Sequence, residues 1–183
     1  MEIIKTRLPD VIILAPKVFG DDRGFLIEMY NAKTFLKAGI SKTFVQDNHS
    51  GSCQGTLRGL HYQIQKPQSK LIKVIHGEIF DVAVDLRRKS YTFGHWVGVR
   101  LSAENKQQLW IPAGFAHGFY VISEWADVLY KMTDYYTPDF QRTLLWNDPE
   151  IGVEWPVLPG MELILSENDR NGVQFKDAEY YDW

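Results

Sequence analysis

Short apolar or alternating runs recur along most of the chain, and Gly, Pro, Asp, Asn or Ser residues bound them. They are rich in Val, Ile, Phe, Tyr and Trp, which favours β-strands. The pattern predicts an all-β protein built as a sandwich or barrel, rather than one with alternating strands and helices. The runs are VIILA (11–15), RGFLIEMY (23–30), KLIKVIHGEIFDVAVDLR (70–87), HWVGVRLS (95–102), QQLWIP (107–112), HGFYVIS (117–123), DVLYKMTDYY (127–136) and MELILS (161–166).

One short helix is predicted within NAKTFLKAGI, residues 31–40. Asn31 can cap its start, and Gly39 can adopt the left-handed conformation that often ends a helix. Residues 166–183 are polar and predict a loop with one last helical turn. No linker divides the chain, so we expect residues 1–183 to form a single domain, long enough to bury its own core.

Composition and charge narrow the function classes. The chain is 45% hydrophobic and 23% charged, with a formal net charge of −3. A general nucleic-acid binder or a membrane-surface binder needs a clustered basic field, so neither is expected, and a phosphate-bearing ligand must be held by a few placed Arg or Lys. Cys53 is the single cysteine, which excludes an internal disulfide, and the N-terminus lacks a signal-peptide pattern. These features predict a cytoplasmic protein.

Aromatic residues make up 14% of the chain. Tyrosine and tryptophan are favoured where one end of the side chain stays wet, at ligand pockets and subunit interfaces. The aromatic content therefore fits a ligand pocket, a homodimer, or both, and it equally fits an aromatic β-core.

The histidines raise the question of a metal site. IPAGFAHGF, residues 111–119, has the P-x-G-x-x-H form of the second motif of metal-binding cupins. The first motif needs two imidazoles spaced two apart on one strand face, but position 63, two after His61, is Gln. A metal site would keep His61 and His117 and lack its third and fourth ligands, so we expect no metal.

General-base chemistry is the second possibility for His61. It needs a carboxylate to fix the imidazole and a group to stabilise a developing anion, and Asp169, Lys70 and Tyr130 are candidates. Spacing alone does not bring them together, and a packed structural histidine remains an alternative. Arg23 and Arg58 each precede a glycine, an arrangement that suits phosphate but is also common on surfaces.

Taken together, eight segments resemble the dTDP-4-dehydrorhamnose 3,5-epimerase family, in order and over nearly the whole chain. They are GDDRGFLIE, FVQDNHS, TLRGLHYQ, QSKLIKV, GEIFDVAVDLR, IPAGFAHGF, LYKMTDYY and LSENDR. The resemblance implies a cupin-type jelly-roll without metal or redox cofactor. It also implies a homodimer in which N-terminal residues reach into the partner's site.

The implied reaction epimerises C3 and C5 of a 4-keto-6-deoxyhexose attached to dTDP, through an enolate. By match to the family motifs, His61 removes the α-proton and Asp169 orients it. Lys70 lies near the C4 oxygen, where negative charge develops, and Tyr130 acts as the acid on the opposite face.

The resemblance also implies a substrate-binding set. Arg23 and Arg58 contact the diphosphate, Tyr136 stacks on thymine, and His117 contacts the sugar or phosphate. The other implied residues are Glu28, Gln46, Asn48, Gln141 and Asn168.

Two positions depart from the family pattern. Family members often have Lys at the position of Asn168 and an acidic residue at the position of Gln141, which puts peripheral nucleotide contacts in doubt. An epimerase that inverts only C3 or only C5, a metal-dependent cupin oxygenase and a non-catalytic sugar-nucleotide binding barrel remain alternatives.

Overall fold

The computed structural model describes residues 1–183 and is built almost wholly from β-strands. Two short α-helices are present, α1 (Ala32–Lys37) and α2 (Glu167–Arg170), with 3₁₀ turns at Pro138–Phe140 and Phe175–Asp177. The strands are β1 Glu2–Lys5, β2 Ile12–Ala15, β3 Val18–Asp21, β4 Gly24–Ile27, β5 Gln46–Cys53, β6 Leu57–Gln63, β7 Lys70–His76, β8 Glu78–Asp85, β9 Trp96–Ser102, β10 Gln108–Ile111, β11 Phe115–Val121, β12 Trp125–Met132 and β13 Gln141–Thr143.

The strands form two large antiparallel sheets and one separate hairpin. One sheet has the order β1-β2-β10-β7-β12-β5, and the other has the order β13-β6-β11-β8-β9. Strands β3 and β4 pair only with each other. Neighbouring strands are often distant in sequence, as expected of a two-sheet sandwich with Greek-key connections. The all-β prediction is confirmed.

The main core lies between the two sheets. Sixteen buried residues from both sheets and the β1–β2 connection form it, with Ile72 on one sheet and Phe115 on the other as examples. Alternation along β8 explains how one strand serves two layers, because Ile79 and Ala83 join this core while Val82 and Val84 join a second cluster on the outer face. The C-terminal segment covers that outer face.

Helix α1 forms where the sequence predicts it. The Asn31 side chain accepts hydrogen bonds from the backbone N–H of Lys33 and Thr34, and Gly39 follows the helix with a φ of +84°. Phe35 of α1 packs against the outer face of the six-stranded sheet. Neither helix is of a length and apolarity suited to spanning a bilayer.

Five strands lie outside the predicted runs, namely β1, β3, β5, β6 and β13, and one predicted strand is wrong. Strands β5 (QDNHSGSC) and β6 (LRGLHYQ) lack the apolar alternation of the others. The run MELILS makes only one isolated bridge, between Ile164 and Thr56. It cannot extend along β6, because β13 already pairs with the Cα positions of residues 61–63 on that edge.

Candidate active site

A cavity of about 210 Å³ opens between the two sheets, where inward positions change from apolar to polar. On β7, Lys70 shares the inward face with Ile72, and on β12, Tyr130 shares it with Val128. The other wall comes from β6 and β11. Its lining residues are Asn48, Arg58, His61, Tyr62, Gln63, Gln68, Lys70, His117, Phe119, Tyr130, Met132, Tyr136 and Gln141.

His61 is held by a buried carboxylate. Its Nε2 lies 2.6 Å from Oδ1 of Asp169, which is 3% exposed. The same Oδ1 accepts the backbone N–H of Gly59 at 3.1 Å, and Oδ2 accepts the Ser166 hydroxyl at 2.6 Å. Ser166 caps α2, so the short helix and β6 together fix the carboxylate.

These contacts set the ionisation of the pair. Burial alone raises the pKa of Asp169, but hydrogen bonds from His61, Ser166 and the Gly59 N–H outweigh it and hold that pKa below its ordinary value. An ionised carboxylate only accepts hydrogen bonds, so Nε2 of His61 carries the hydrogen. In the neutral form of the imidazole, Nδ1 is then the nitrogen without a hydrogen and the atom that can accept a proton.

Lys70 places a buried amine in the same cavity. Its Nζ lies 3.4 Å from the carbonyl oxygen of His61, to which it donates. Burial lowers the pKa of Lys70 to about 8, with the negative charge of Asp81 opposing part of that effect. The ammonium form therefore predominates at neutral pH.

His117 and Asp81 form a second buried pair, in which His117 also lines the cavity. The Nε2–H of His117 lies 3.0 Å from both carboxylate oxygens of Asp81. Burial lowers the pKa of His117, Asp81 opposes that shift, and the positive charge of Lys70 adds to it. Sequence reasoning missed Asp81, although a carboxylate at an inward position of β8, between Ile79 and Ala83, could have revealed it.

Strand pairing sets the opposite walls of the cavity. His61 on β6 lies directly across from His117 on β11, within the five-stranded sheet. Tyr130 on β12 lies directly across from Asn48 on β5, within the six-stranded sheet. His61 and Tyr130 therefore face the cavity from different sheets.

Two glycines bring β6 close to β11. A Cβ on Gly118 would come 2.6 Å from the carbonyl oxygen of Arg58, and a Cβ on Gly59 would come 2.5 Å from the Cα of Gly118. No side chain fits at either position without backbone movement. The close approach sets the position of the strand that carries Arg58 and His61. Arg58 itself lines the cavity, where its Nε donates to Ser52 Oγ at 3.0 Å.

Tyr136 lies at the edge of the cavity on the segment that follows β12. Its backbone N–H donates to Oε1 of Gln46 at 2.9 Å, and its hydroxyl donates to Oε1 of Gln141 at 2.6 Å. Gln46 also donates to Asn48 at 3.0 Å. Among the predicted substrate-binding residues, these four form a connected group.

Five predicted site residues do not line this cavity. Two of them, Asp169 and Gln46, hydrogen-bond to residues that do, and the other three lie apart from it. Arg23 and Glu28 belong to the β3–β4 hairpin and its exit, where Arg23 pairs with Asp21 and Glu28 accepts from Asn31. Asn168 is exposed on α2, beside Asp169. No cluster of three or more His, Cys, Asp or Glu side chains has the arrangement of a metal site.

Comparison with known proteins identifies the family. The family model described as dTDP-4-dehydrorhamnose 3,5-epimerase matches residues 5–177. The chain is 57% identical over 182 residues to the dTDP-4-dehydrorhamnose 3,5-epimerase of Pseudomonas aeruginosa, covering 99% of each chain. It is 53% identical over 171 residues to that of Escherichia coli K12, covering 92% of this chain and 91% of the relative.

Solved structures agree with that result. The dTDP-6-deoxy-D-glucose-3,5-epimerase of Legionella pneumophila, solved in complex with dTDP-4-keto-L-rhamnose, superposes with a TM-score of 0.96 at 47% identity, over 100% of this chain and 98% of that one. A 3'-monoepimerase from Streptomyces bikiniensis, in complex with dTDP-quinovose, is more distant, with a TM-score of 0.86, 29% identity and coverage of 93% and 86%. The resemblance inferred from the motifs is confirmed, and with it the cupin-like jelly-roll: the chain belongs to the dTDP-4-dehydrorhamnose 3,5-epimerase family of isomerases.

Proposed function

We propose that this protein inverts C3 and C5 of the sugar of dTDP-4-dehydro-6-deoxy-D-glucose, giving dTDP-4-dehydro-L-rhamnose. Both carbons lie next to the C4 ketone, so removal of either proton gives an enolate. Inversion requires reprotonation on the opposite face of the sugar. The observation that carries the proposal is that His61 and Tyr130, both able to transfer protons, face one cavity from different sheets.

His61 is the proposed base. Its Nε2–H is committed to Asp169, which leaves Nδ1 to take the α-proton. The buried, ionised Asp169 then stabilises the imidazolium that forms, without itself taking the proton. Tyr130 is the proposed acid that delivers a proton from the six-stranded sheet.

Lys70 is the proposed electrophilic group. Its buried ammonium would lie near the C4 oxygen, where negative charge develops as the enolate forms. A fixed positive charge in a water-poor cavity stabilises such charge far more than one exposed to solvent. The reaction moves protons only, so it consumes no oxidant or reductant.

The remaining cavity residues are proposed to hold the nucleotide sugar. Arg58 can grip diphosphate oxygens, and Tyr136 offers a flat, half-exposed ring for the thymine base. His117 would contact the sugar or phosphate from the inner end. Asn48 and Gln141 complete the polar rim, Gln46 supports it through Asn48 and Tyr136, and Asn168 remains a predicted contact outside it.

A homodimer with shared sites is also proposed. Arg23 and Glu28 lie away from the cavity of their own chain, around a hairpin that exposes Phe25 and Leu26 by 62% and 73%. Exposed large apolar side chains on a projecting hairpin are typical of an interface. The hairpin would carry Arg23 and Glu28 to the partner's cavity. The cytoplasmic location stays a prediction.

The activity can be tested with dTDP-4-keto-6-deoxyglucose in heavy water. NMR of the product should show deuterium at both C3 and C5, with both centres inverted. Label and inversion at a single carbon would instead select an enzyme that inverts only that centre. Bound substrate with no label at either carbon would contradict catalysis altogether.

A further inference from the structure

Gln63 lies two residues beyond His61 on β6 and is 4% exposed. Although it lines the cavity, its side-chain amide is occupied by the protein. Its Oε1 accepts the backbone N–H of Thr137 at 2.7 Å, and its Nε2 donates to the carbonyl oxygens of Lys66 at 2.9 Å and Tyr135 at 3.3 Å. No N–H of Gln63 is left over for a ligand.

These bonds flank Tyr136 on both sides. Gln63 holds residues 135 and 137 from the five-stranded sheet, and Gln46 holds the N–H of residue 136 from the six-stranded sheet. The segment has no strand partner of its own and contains exposed Tyr135 and Tyr136. The backbone that carries the Tyr136 ring is therefore fixed from both sheets by glutamine side chains.

We infer that Gln63 is a positioning residue for nucleotide binding, which acts by fixing the Tyr135–Thr137 segment so that the Tyr136 ring is preset at the cavity edge. The inference rests on the proposed role of Tyr136 as the platform for the base. An aromatic ring that is already fixed in its binding orientation loses no further conformational freedom when a flat ligand stacks on it. Gln63 thus contributes to substrate affinity while His61, on the same strand, contributes to proton transfer.

The variant Gln63→Met keeps the length of the side chain and removes all three hydrogen bonds. We expect the dissociation constant for dTDP and the KM for the nucleotide sugar to rise about tenfold, because three backbone groups, of Lys66, Tyr135 and Thr137, lose their hydrogen-bond partner. kcat should stay within about twofold of wild type, because the contacts of His61 and Lys70 remain. Backbone amides of residues 135–137 should exchange faster with heavy water, a readout that needs no substrate.

Gln54→Met is the matched control, since Gln54 also donates to a backbone carbonyl, that of Ile122 at 2.7 Å, but lies outside the cavity. It should leave dTDP affinity and exchange at residues 135–137 unchanged. Wild-type-like dTDP affinity in Gln63→Met, or a fall in kcat with unchanged KM, would overturn the inference. The heavy-water experiment on the wild-type enzyme tests the proposed function, whereas the Gln63 variants test only the positioning role. Failure of the proposed function is therefore distinguishable from failure of this inference.

Gln63→Glu keeps the inference testable if Gln63→Met does not fold. A carboxylate keeps the acceptor for Thr137 but repels the carbonyl oxygens of Lys66 and Tyr135, whereas its protonated form can donate to one of them. Because burial raises the pKa of a carboxyl group, the affinity of Gln63→Glu for dTDP, relative to wild type, should increase as the pH falls from about 8 to about 5. A ratio that does not change with pH would contradict the role of these two donated bonds.

Discussion

Single inward-facing residues convert the end of an apolar core into a reactive site. Lys70 and Tyr130 take positions that Ile72 and Val128 hold further along the same strands. Each polar replacement is costly unless it is hydrogen-bonded or its charge state adjusts. For Lys70 the adjustment is a pKa of about 8, and for Asp169 it is a set of hydrogen bonds that keeps the carboxylate ionised.

The pKa of Lys70 predicts an alkaline limit to activity. Below about pH 8 the side chain is the ammonium that stabilises the enolate, and above it the neutral amine carries no charge. We expect kcat/KM to fall as the pH rises through about 8, measured on the nucleotide sugar in buffers of constant ionic strength.

Lys70→Arg is the informative variant, because a guanidinium stays charged throughout this range. Its activity should be lower than wild type, since the larger group fits poorly, but its alkaline decline should move to higher pH. A decline at the same pH in both proteins would assign the limit to another group.

At the level of elements, the sequence predicts most clearly the strands that lie in the middle of a sheet. Strands β7, β8 and β11 read as apolar runs because they are buried in the middle of their sheets. Strands β5 and β6 do not, because β5 is an edge strand and both carry polar residues toward the cavity. Apolar patterning therefore misses these two cavity strands, although it finds β7, β11 and β12, which also line the cavity.

The site itself follows from tertiary pairing that spacing cannot supply. His61 and Asp169 are 108 residues apart, and an N-capping Ser166 aims the carboxylate back at β6. Without the family motifs, the residues are compatible with three roles for His61, namely general base, metal ligand and packed core residue. Eight motifs in order supplied the family, whereas Asp81 and the bonds of Gln63 became visible only in the fold.

The close approach of β6 and β11 can be tested at Gly118. An added Cβ would meet the carbonyl of Arg58 at 2.6 Å, so Gly118→Ala must move β6 and the His61 it carries. We expect a loss of about 1–3 kcal/mol in the free energy of unfolding, measured in urea, and a reduced kcat.

Gly20→Ala is the control for stability, because its Cβ would meet no atom closer than 3.7 Å. Its free energy of unfolding should stay within about 0.5 kcal/mol of wild type. If Gly118→Ala were equally harmless to stability and activity, the strand approach would not set the position of His61.

At the scale of the whole molecule, the hairpin of β3 and β4 contributes no residue to the main core or to the cavity of its own chain. Arg23 projects into solvent, with 90% of its side chain exposed, and pairs with neighbouring Asp21 alone. The proposed homodimer, in which this hairpin contributes to the site of a second copy, would account for both the exposed apolar residues and the distance from the cavity.

Shared sites predict complementation between inactive chains. Arg23→Ala and His61→Asn should each be nearly inactive, yet their mixed dimer contains one cavity with both residues intact. Co-expressed at equal amounts, the two variants should recover about a quarter of wild-type activity, because half of the dimers are mixed and each has one intact site. No recovery in verified mixed dimers would show that Arg23 does not act in the partner's site.

The central claim is that His61 and Tyr130 serve opposite faces of the sugar. The most direct measurement is deuterium uptake and configuration at C3 and C5, by NMR, in substrate recovered from Tyr130→Phe and from His61→Asn in heavy water. Tyr130→Phe should incorporate deuterium with retained configuration, because His61 still removes and returns protons on its own face, whereas His61→Asn should incorporate none. Deuterium uptake by His61→Asn, or full inversion by Tyr130→Phe, would contradict the account.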